Sequence, residues 1–591
     1  MSVTNFIKTL KYDPKSTADQ TFNRLRTFWT GIAAAMMISN AQAQDPIAGR
    51  IVPDSFAPTE RHTSRNIIDI GAFAGTEAPP GAEALSFTAA GVTFTGDAPP
   101  FEGALAPTIE ALAPGRHRPV TVAELFFRAH VLERSFADRG YVLYRVVIPP
   151  QRIAPGQPVI FQIVSGRIEA IDVAALHPAI RRPVHARLKH LLKRNPVHRN
   201  DLERALLLAG DFGGLALRST FAPGQTPGGV RLIVDGTFDI LNGALSAGHF
   251  ASEAVGGWGV NASASLNSPL GLGEQFYAAY QADPETSLSL DSRMRVAAAG
   301  AILPLGTDGI TLSPEILWSR ILPLPEDGVP DNDNQMARAT LRLSYPWLRT
   351  PTYTLVTSGA LDAIAQSVTA TDFDAAISSD TYLAFRATLQ GDLAAAPGLA
   401  LTGSLGLSQG LAELPHLFTE VEDPPPSRDG AAAGFTKLSL TFATTASWPS
   451  VSAALSLRGQ TSFGAPLFNS EQLSLDGADA LSGLSPGSYA VDEGMTTRLE
   501  LAPAGRLKLP FTRAITPYIF GAAGGGWIHN TTDVEDPVLA AAGLGAGLRL
   551  QLAPHPEMGD PLTLHLEAGH SWLSTGDSDP TRINVSLGWT F

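Results

Sequence analysis

Ala337-Arg338-Ala339-Thr340-Leu341-Arg342-Leu343-Ser344-Tyr345 places an apolar side chain at every odd position and a polar or charged one at every even position. Successive side chains of a strand point to opposite faces, so one face of this segment is apolar and the other carries two arginines. A soluble sandwich has no use for arginines on a core face. Lipid outside and a wet, charged lumen inside suit both faces at once. The stretch Trp258-Gly-Val-Asn-Ala-Ser-Ala-Ser-Leu266 repeats the period, with Gly259, Asn261, Ser263 and Ser265 on the polar face. Working outward, sixteen such segments start near residues 238, 257, 273, 292, 309, 334, 351, 380, 398, 434, 451, 494, 516, 538, 562 and 581. An even number suits a closed bacterial barrel. If the first strand rises from the periplasm, the long polar connections 323–333, 412–433 and 464–493 fall on the outer side, while Arg349-Thr350-Pro351 and Trp448-Pro449-Ser450 fall on the periplasmic side. Short periplasmic turns and long outer loops are the asymmetry of outer-membrane barrels. The last strand, Ile583 to Phe591, turns Ile583, Val585, Leu587, Trp589 and Phe591 one way, and an aromatic terminal strand ending Trp589-Thr590-Phe591 resembles an insertion signal read by the barrel-assembly machinery.

The remainder of the 591-residue chain fits this reading. Lys8, Lys11, Lys15, Arg24 and Arg26 precede the apolar stretch Phe28–Ile38 and Ala41-Gln42-Ala43, which predicts a secretory signal peptide cut after Ala43. Residues 44–84, rich in Pro, Gly and Ala without a sustained period, read as a linker in which no folded domain is expected. A small α+β unit follows. It has a strand-like segment Ala84–Phe94, a helix from Val122 with a Thr121/Glu124 capping box, and strands Tyr141–Ile148 and Val159–Val164. A second unit of similar size runs to Gly236, with a helix at Pro178–Lys193, another after an Asn200/Glu203 capping box, and a strand at Val230–Val234. Between Asp172 and Asp201 there is no acid, and Arg181, Arg182, Arg187, Lys189, Lys193, Arg194 and Arg199 form a local basic patch. It reads as a solvated helix face or as a contact for acidic client segments or anionic lipid head groups.

Composition narrows the function. A net charge of −14 argues against nucleic acid as partner. The chain has no cysteine, which removes disulfides, thiolate metal sites and cysteine nucleophiles. Beyond the first forty residues no apolar run approaches the roughly 20 residues that a spanning helix needs. Gly483-Leu-Ser-Pro-Gly487 and Gly406-Leu-Ser-Gln-Gly410 fit a Gly-x-Ser-x-Gly nucleophile pattern, but neither lies in a strand-turn-helix context. No catalytic residue, metal site or cofactor is therefore expected. Acidic outer-loop residues, Glu326, Asp327, Asp331, Asp333, Glu420, Glu422 and Asp423, read as solvated loops, with divalent cations bridging to lipopolysaccharide as the alternative.

Order and spacing together resemble the two-partner secretion transporters, the hemolysin secretion/activation branch of the Omp85 superfamily, over roughly residues 85–591. Gly140-Tyr141, Pro149-Pro150-Gln151, Gly156 and Gly166 resemble the end of that family's first POTRA domain. Leu202-Glu-Arg-Ala-Leu-Leu-Leu208 with Pro223-Gly224 and Pro227-Gly228 resembles its second. Ser470 to Gly477 is similar to the approach to its inward-folded loop. The resemblance implies α+β POTRA domains at 85–168 and 169–236, followed by a 16-stranded antiparallel transmembrane barrel at 237–591. It also implies Tyr141, Pro149, Pro150 and Gln151 as client-binding candidates, and a pore that passes an unfolded secreted partner protein from the periplasm across the outer membrane. A surface-display role or a passive porin-like channel is the alternative. Two departures stand out. The family's Val-Arg-Gly-Tyr loop motif is Leu481, Ser482, Gly483 and Leu484 here, and its strand motif Phe-x-Asp-x-Gly is Phe520, Ala522 and Gly524, so the arginine and the aspartate are both missing. Loss of both partners of a buried pair is tolerable where loss of one is not. Ser482 and Ala522 are then expected to face each other inside the barrel, with the loop held by neutral packing of Leu481 and Leu484 or by a relocated charge such as Arg498; a simply looser loop is the alternative. No amphipathic plug helix is evident at 44–84.

Overall fold

The computed structural model describes residues 55–58, 68–69 and 78–591 apart from 89–90, 114–118, 153–156, 286–288, 290–291, 326–329, 374, 422–423, 506–511, 533–534, 553–561 and 576–579. The signal peptide, and Glu326, Asp327, Glu422 and Asp423, lie outside the described residues.

The order is β1 (Ile68–Asp69), β2 (Ser86–Phe87), β3 (Val92–Gly96), α1 (Ala106–Ala111), β4 (Val120–Thr121), α2 (Val122–Asp138), β5 (Arg145–Val147), β6 (Val159–Val164), β7 (Arg167–Asp172), α3 (Pro178–Leu188), α4 (Arg199–Gly210), β8 (Leu215–Pro223) and β9 (Gly229–Phe238). Helix α2 starts where Thr121 accepts from Glu124 N at 3.1 Å, and buries Leu125, Ala129, Leu132 and Phe136 against the sheet β3-β6-β5. In the second module α3 and α4 cover the sheet β1-β8-β9-β7. Val142 and Leu143 of the first module belong to the second module's core, so the two pack without a gap.

Three local expectations change. The strand foreseen at Tyr141–Ile148 begins only at Arg145, because Gly140 (φ +92) ends α2 and Tyr141 N still bonds Phe136 O at 2.9 Å. Helix α4 is capped by His198 rather than by Asn200, since His198 is seated against Tyr141 and its ring accepts from Asn200 N at 3.3 Å. The 44–84 segment is more than a linker. Its Ile68 and Asp69 pair in parallel with Ser219 and Thr220 of β8, and its residues 55–58 lie in the barrel lumen. A stretch with no core of its own can still borrow the edge and cavity of folded neighbours, and no sequence period records that.

The sixteen strands of the closed barrel are β10 (Leu241–His249), β11 (Trp258–Asn267), β12 (Gln275–Ala282), β13 (Met294–Leu305), β14 (Ile310–Ile321), β15 (Asn332–Arg349), β16 (Tyr353–Ala370), β17 (Ala375–Ala396), β18 (Leu399–Glu413), β19 (Thr436–Ser447), β20 (Val451–Thr461), β23 (Glu493–Pro503), β24 (Thr512–Trp527), β25 (Val538–Leu552), β26 (Thr563–Leu573) and β27 (Thr581–Thr590). The short pair β21 (Leu473–Ser474) and β22 (Ala490–Val491) belongs to the inward loop. Leu341 and Leu343 face out, while Arg338 is buried inside beside Glu315. Module two sits on the periplasmic turns. Arg349 grips Asp211 through two bonds of 2.7 and 3.1 Å, and Arg204 donates to Pro346 O at 2.8 Å.

Closure falls to β10 and β27, paired from Ala244↔Thr590 to Gly248↔Ser586. Beyond that register Phe591 and Gly243 exchange both backbone bonds at 2.9 Å. The Phe591 ring lies where a side chain on residue 243 would be, since a Cβ there would sit 2.2 Å from it. Gly243→Leu is expected to displace the terminal strand and to lower the temperature at which the barrel loses its heat-modifiable migration in gels. An unchanged transition would show that the seam does not depend on this contact.

Candidate functional site in the barrel lumen

A sixteen-strand barrel encloses more space than its wall side chains fill, and two segments occupy it. The first is the 462–492 loop between β20 and β23. Asp476 braces it from within, accepting from Ser474 Oγ at 2.6 Å and from Gly487 N and Tyr489 N at 3.0 Å.

Leu481, Ser482 and Leu484 are all buried. Leu481 and Leu484 pack in one apolar cluster with Ala522 and Leu539. Gly483 meets the wall so closely that a Cβ would stand 2.5 Å from Ser571 Oγ and 3.3 Å from the Gly569 backbone. Of the strand motif, Phe520 and Ala522 are buried toward the loop, and a Cβ on Gly524 would meet Leu481 at 3.3 Å. The charge that holds the loop comes from the neighbouring strand. Arg498, the register partner of Ala522, donates to Ser482 Oγ at 2.7 Å and to Glu567 at 2.6 Å, and its guanidinium lies 3.7 Å from the Phe520 ring centroid. Directly opposed residues share a face, so Arg498 and Ala522 both turn toward the loop. Glu567 also accepts from Ser482 Oγ and, at 2.6 Å, from Tyr518 OH. Asn584 donates to Ser482 O at 2.9 Å.

Two further anchors escaped the sequence reading. Glu471, buried in the loop, accepts from Arg386 at 2.6 and 3.0 Å and from Tyr382 OH at 2.7 Å, and pairs with Lys437 at 2.7 Å. Burial alone would raise the Glu471 carboxyl, but Arg386 and then Lys437 hold it far below the usual glutamate range. Asp492 accepts from Leu467 N at 3.1 Å, Gln472 Nε2 at 3.0 Å and His529 N at 2.8 Å. The available signal was a charged residue at an inward position of an alternating strand, as at Arg386, Arg498 and Glu567. The sequence does not say which partner each one meets.

The second occupant is the segment 55–58. Ser55 Oγ and Phe56 N each donate to Glu315 Oε2 at 3.0 Å, beside Tyr277 OH at 2.9 Å. Phe56 packs on an inner cluster that includes Val296, Leu317, Tyr382 and Phe468. This cluster forms where the two occupants meet the wall, so the lumen combines an apolar patch with the inward charges foreseen from the alternation. The serines of the nucleophile-like patterns have structural partners: Ser485 Oγ accepts from Glu253 N at 3.0 Å, and Ser408 Oγ from Arg386 at 3.1 Å.

The other proposed site residues lie in the modules and at the seam. Tyr141 is enclosed between Phe101, Tyr144 and His198 at the module junction. Pro149 and Pro150 follow β5 without donors, and the Gln151 side chain donates to Ile160 O and accepts from Ile160 N, each at 2.8 Å. The chain leaving β5 is thereby tied to β6, the central strand of the sheet. Trp589 and Phe591 rings lie 4.8 Å apart at the barrel seam.

A family model described as haemolysin secretion/activation protein ShlB/FhaC/HecB matches residues 234–550. The chain belongs to this family. It is a family of outer-membrane two-partner secretion transporters rather than of enzymes, whose members secrete a partner exoprotein, and the chain is an outer-membrane barrel with N-terminal periplasmic domains. Among solved structures, CdiB from Escherichia coli has a TM-score of 0.64 at 18% identity, with 99% of this chain and 100% of that chain covered. CdiB from Acinetobacter baumannii has a TM-score of 0.56 at 14% identity, with 99% and 100% covered. At these identities the likeness is one of fold. No curated relative matches the chain by sequence.

Two predictions follow from the anchors. Arg498→Met leaves Glu567 without its cation, a change that costs about 3–5 kcal/mol for a buried pair, and adding Glu567→Gln should restore part of the thermal midpoint. Strictly additive effects would mean the two do not act together. At Glu471 the folded carboxyl is depressed, so its contribution is fully present above the ordinary value of 4.5 and is lost only as pH falls through the lowered one. The gap in thermal midpoint between the unaltered protein and Glu471→Gln should therefore hold steady from about pH 7 to pH 5, well inside that window. A gap that closes between those two pH values would contradict the assignment.

Proposed function

We propose that the periplasmic modules capture an unfolded partner polypeptide by pairing its backbone with an exposed sheet edge, and that the barrel then passes it to the cell surface. The observation that carries this reading is β1. The edge of β8 accepts an extended segment, the chain's own Ile68–Asp69, in parallel register. Such an edge takes affinity from main-chain bonds and so tolerates many sequences. Two residues form a short strand, and a longer client strand offers more pairs on the same edge. Because residues 55–58 and 68–69 belong to one continuous segment, replacing β1 also loosens the hold of Ser55 and Phe56 on Glu315. Filling of the lumen by two segments argues against a passive channel.

Photo-crosslinkers at Arg218, Thr220 and Ala222 on β8 should trap the partner protein during export. Proline at position 69 should increase trapping by weakening the resident strand. Trapping confined to the outer loops would count against capture in the periplasm.

A further inference from the structure

Helix α3 contains Pro183, and a proline cannot donate to the carbonyl four residues back. The carbonyl left over is that of Ala179, and Ser268 Oγ on the barrel turn 268–274 donates to it at 3.0 Å. Ser268 is set for this contact: its φ is +47°, and its hydroxyl is also held by Gly273 N at 3.0 Å. Beside it Phe212 fills the space over Gly273, where a Cβ would come within 2.3 Å of the ring, and Arg187 covers Phe212 at 3.9 Å. The helix is thereby fastened to the periplasmic rim of the barrel.

The fastened surface is basic. Arg181, Arg182, Lys189, Lys193 and Arg194 are exposed, and no acid occurs between Asp172 and Asp201. Among the described residues none of the five is in an ion pair. The turn that holds the helix is apolar and open, with Leu270 68% and Leu272 54% exposed. It runs directly into the cross-strand pair Leu266↔Phe276, whose side chains are also exposed on the outer face of the barrel. Leu192, between the basic residues, is 40% exposed.

We propose that α3 and residues 189–194, with Leu270 and Leu272, form a docking surface for the periplasmic leaflet that binds anionic phospholipid head groups. The apolar turn is continuous with the lipid-facing wall and places the helix at the height where head groups begin. Attraction to an anionic surface fades within a Debye length, about 10 Å, so a basic helix uses it only when held close, and the Ser268 contact to Ala179 does that. An acidic polypeptide would complement the charges but has no need of exposed leucines next to them. The surface is independent of client capture and fixes the tilt of the second module against the membrane.

The test uses the full chain in nanodiscs of phosphatidylcholine with and without phosphatidylglycerol, following hydrogen exchange over residues 178–194. Exchange should slow several-fold in the phosphatidylglycerol discs, return to the phosphatidylcholine rate at high salt, and lose its lipid dependence in Arg182→Glu/Lys189→Glu/Lys193→Glu. If that variant fails to fold, Lys189→Gln/Lys193→Gln and the salt series on the unaltered protein carry the same comparison. Identical exchange in both lipids, or a lipid effect that survives charge reversal, would overturn the proposal. Slowing by soluble polyglutamate with no response to phosphatidylglycerol would assign the surface to an acidic polypeptide instead.

Discussion

No backbone N–H or C=O can be left without a partner in the hydrocarbon of a bilayer, and the rest of this structure depends on that requirement. It obliges sixteen strands to close on themselves, which places Thr581–Thr590 beside Leu241–His249 although they stand at opposite ends of the barrel sequence. The two-residue period of the strands follows from the same closure, with one face in lipid and the other turned to a space that has to be filled. Gly243 and Phe591 complete the seam because a ring on one strand takes the room a side chain would need on the other.

The filled lumen then raises the problem of charge. Inward arginines and carboxylates are costly to desolvate and persist where they are paired. At the loop tip both members of the pair, Arg498 and Glu567, belong to the wall, and the loop contributes only the Ser482 hydroxyl. Withdrawal of the tip would leave that pair intact. Glu471 differs, because the loop itself carries the buried acid and the wall supplies Arg386 and Lys437. The loop is thus held at its tip by an uncharged hydroxyl bonded to charged wall groups and near its base by a buried charge of its own, and the base is the costlier end to move. At the tip, then, the ionic interaction lies within the barrel wall, between Arg498 and Glu567, and Leu481 to Leu484 bring no charge to it.

The modules meet the barrel by the same means on a smaller scale. Arg349 and Asp211, Arg204 and the carbonyl of Pro346, and Ser268 and the carbonyl of Ala179 each satisfy a polar group that the periplasmic rim would otherwise expose or bury alone. The second module's orientation follows from these contacts together with the packing of Phe212 over Gly273.

The number and order of the barrel strands could be read in the chain because alternation is a local property, repeated over enough residues in each strand to be seen without its neighbours. The start of α2 at Thr121 was legible for the same reason, since a capping box spans four residues. Strand β8 carries its own alternation at Leu215, Leu217 and Phe221, which the helical reading of the second module passed over. Leu481, Leu484 and Ala522 could be named from motif positions, and Arg498 from its inward place on an alternating strand. The acid that Arg498 meets is another matter. Glu567 stands 69 residues further on, and Ser55 finds Glu315 across 260 residues. Which inward charges pair, and which edge and cavity a patternless segment occupies, was decided only when closure brought distant strands face to face, because an ion pair or a borrowed edge depends on distance in space and leaves no period along the chain.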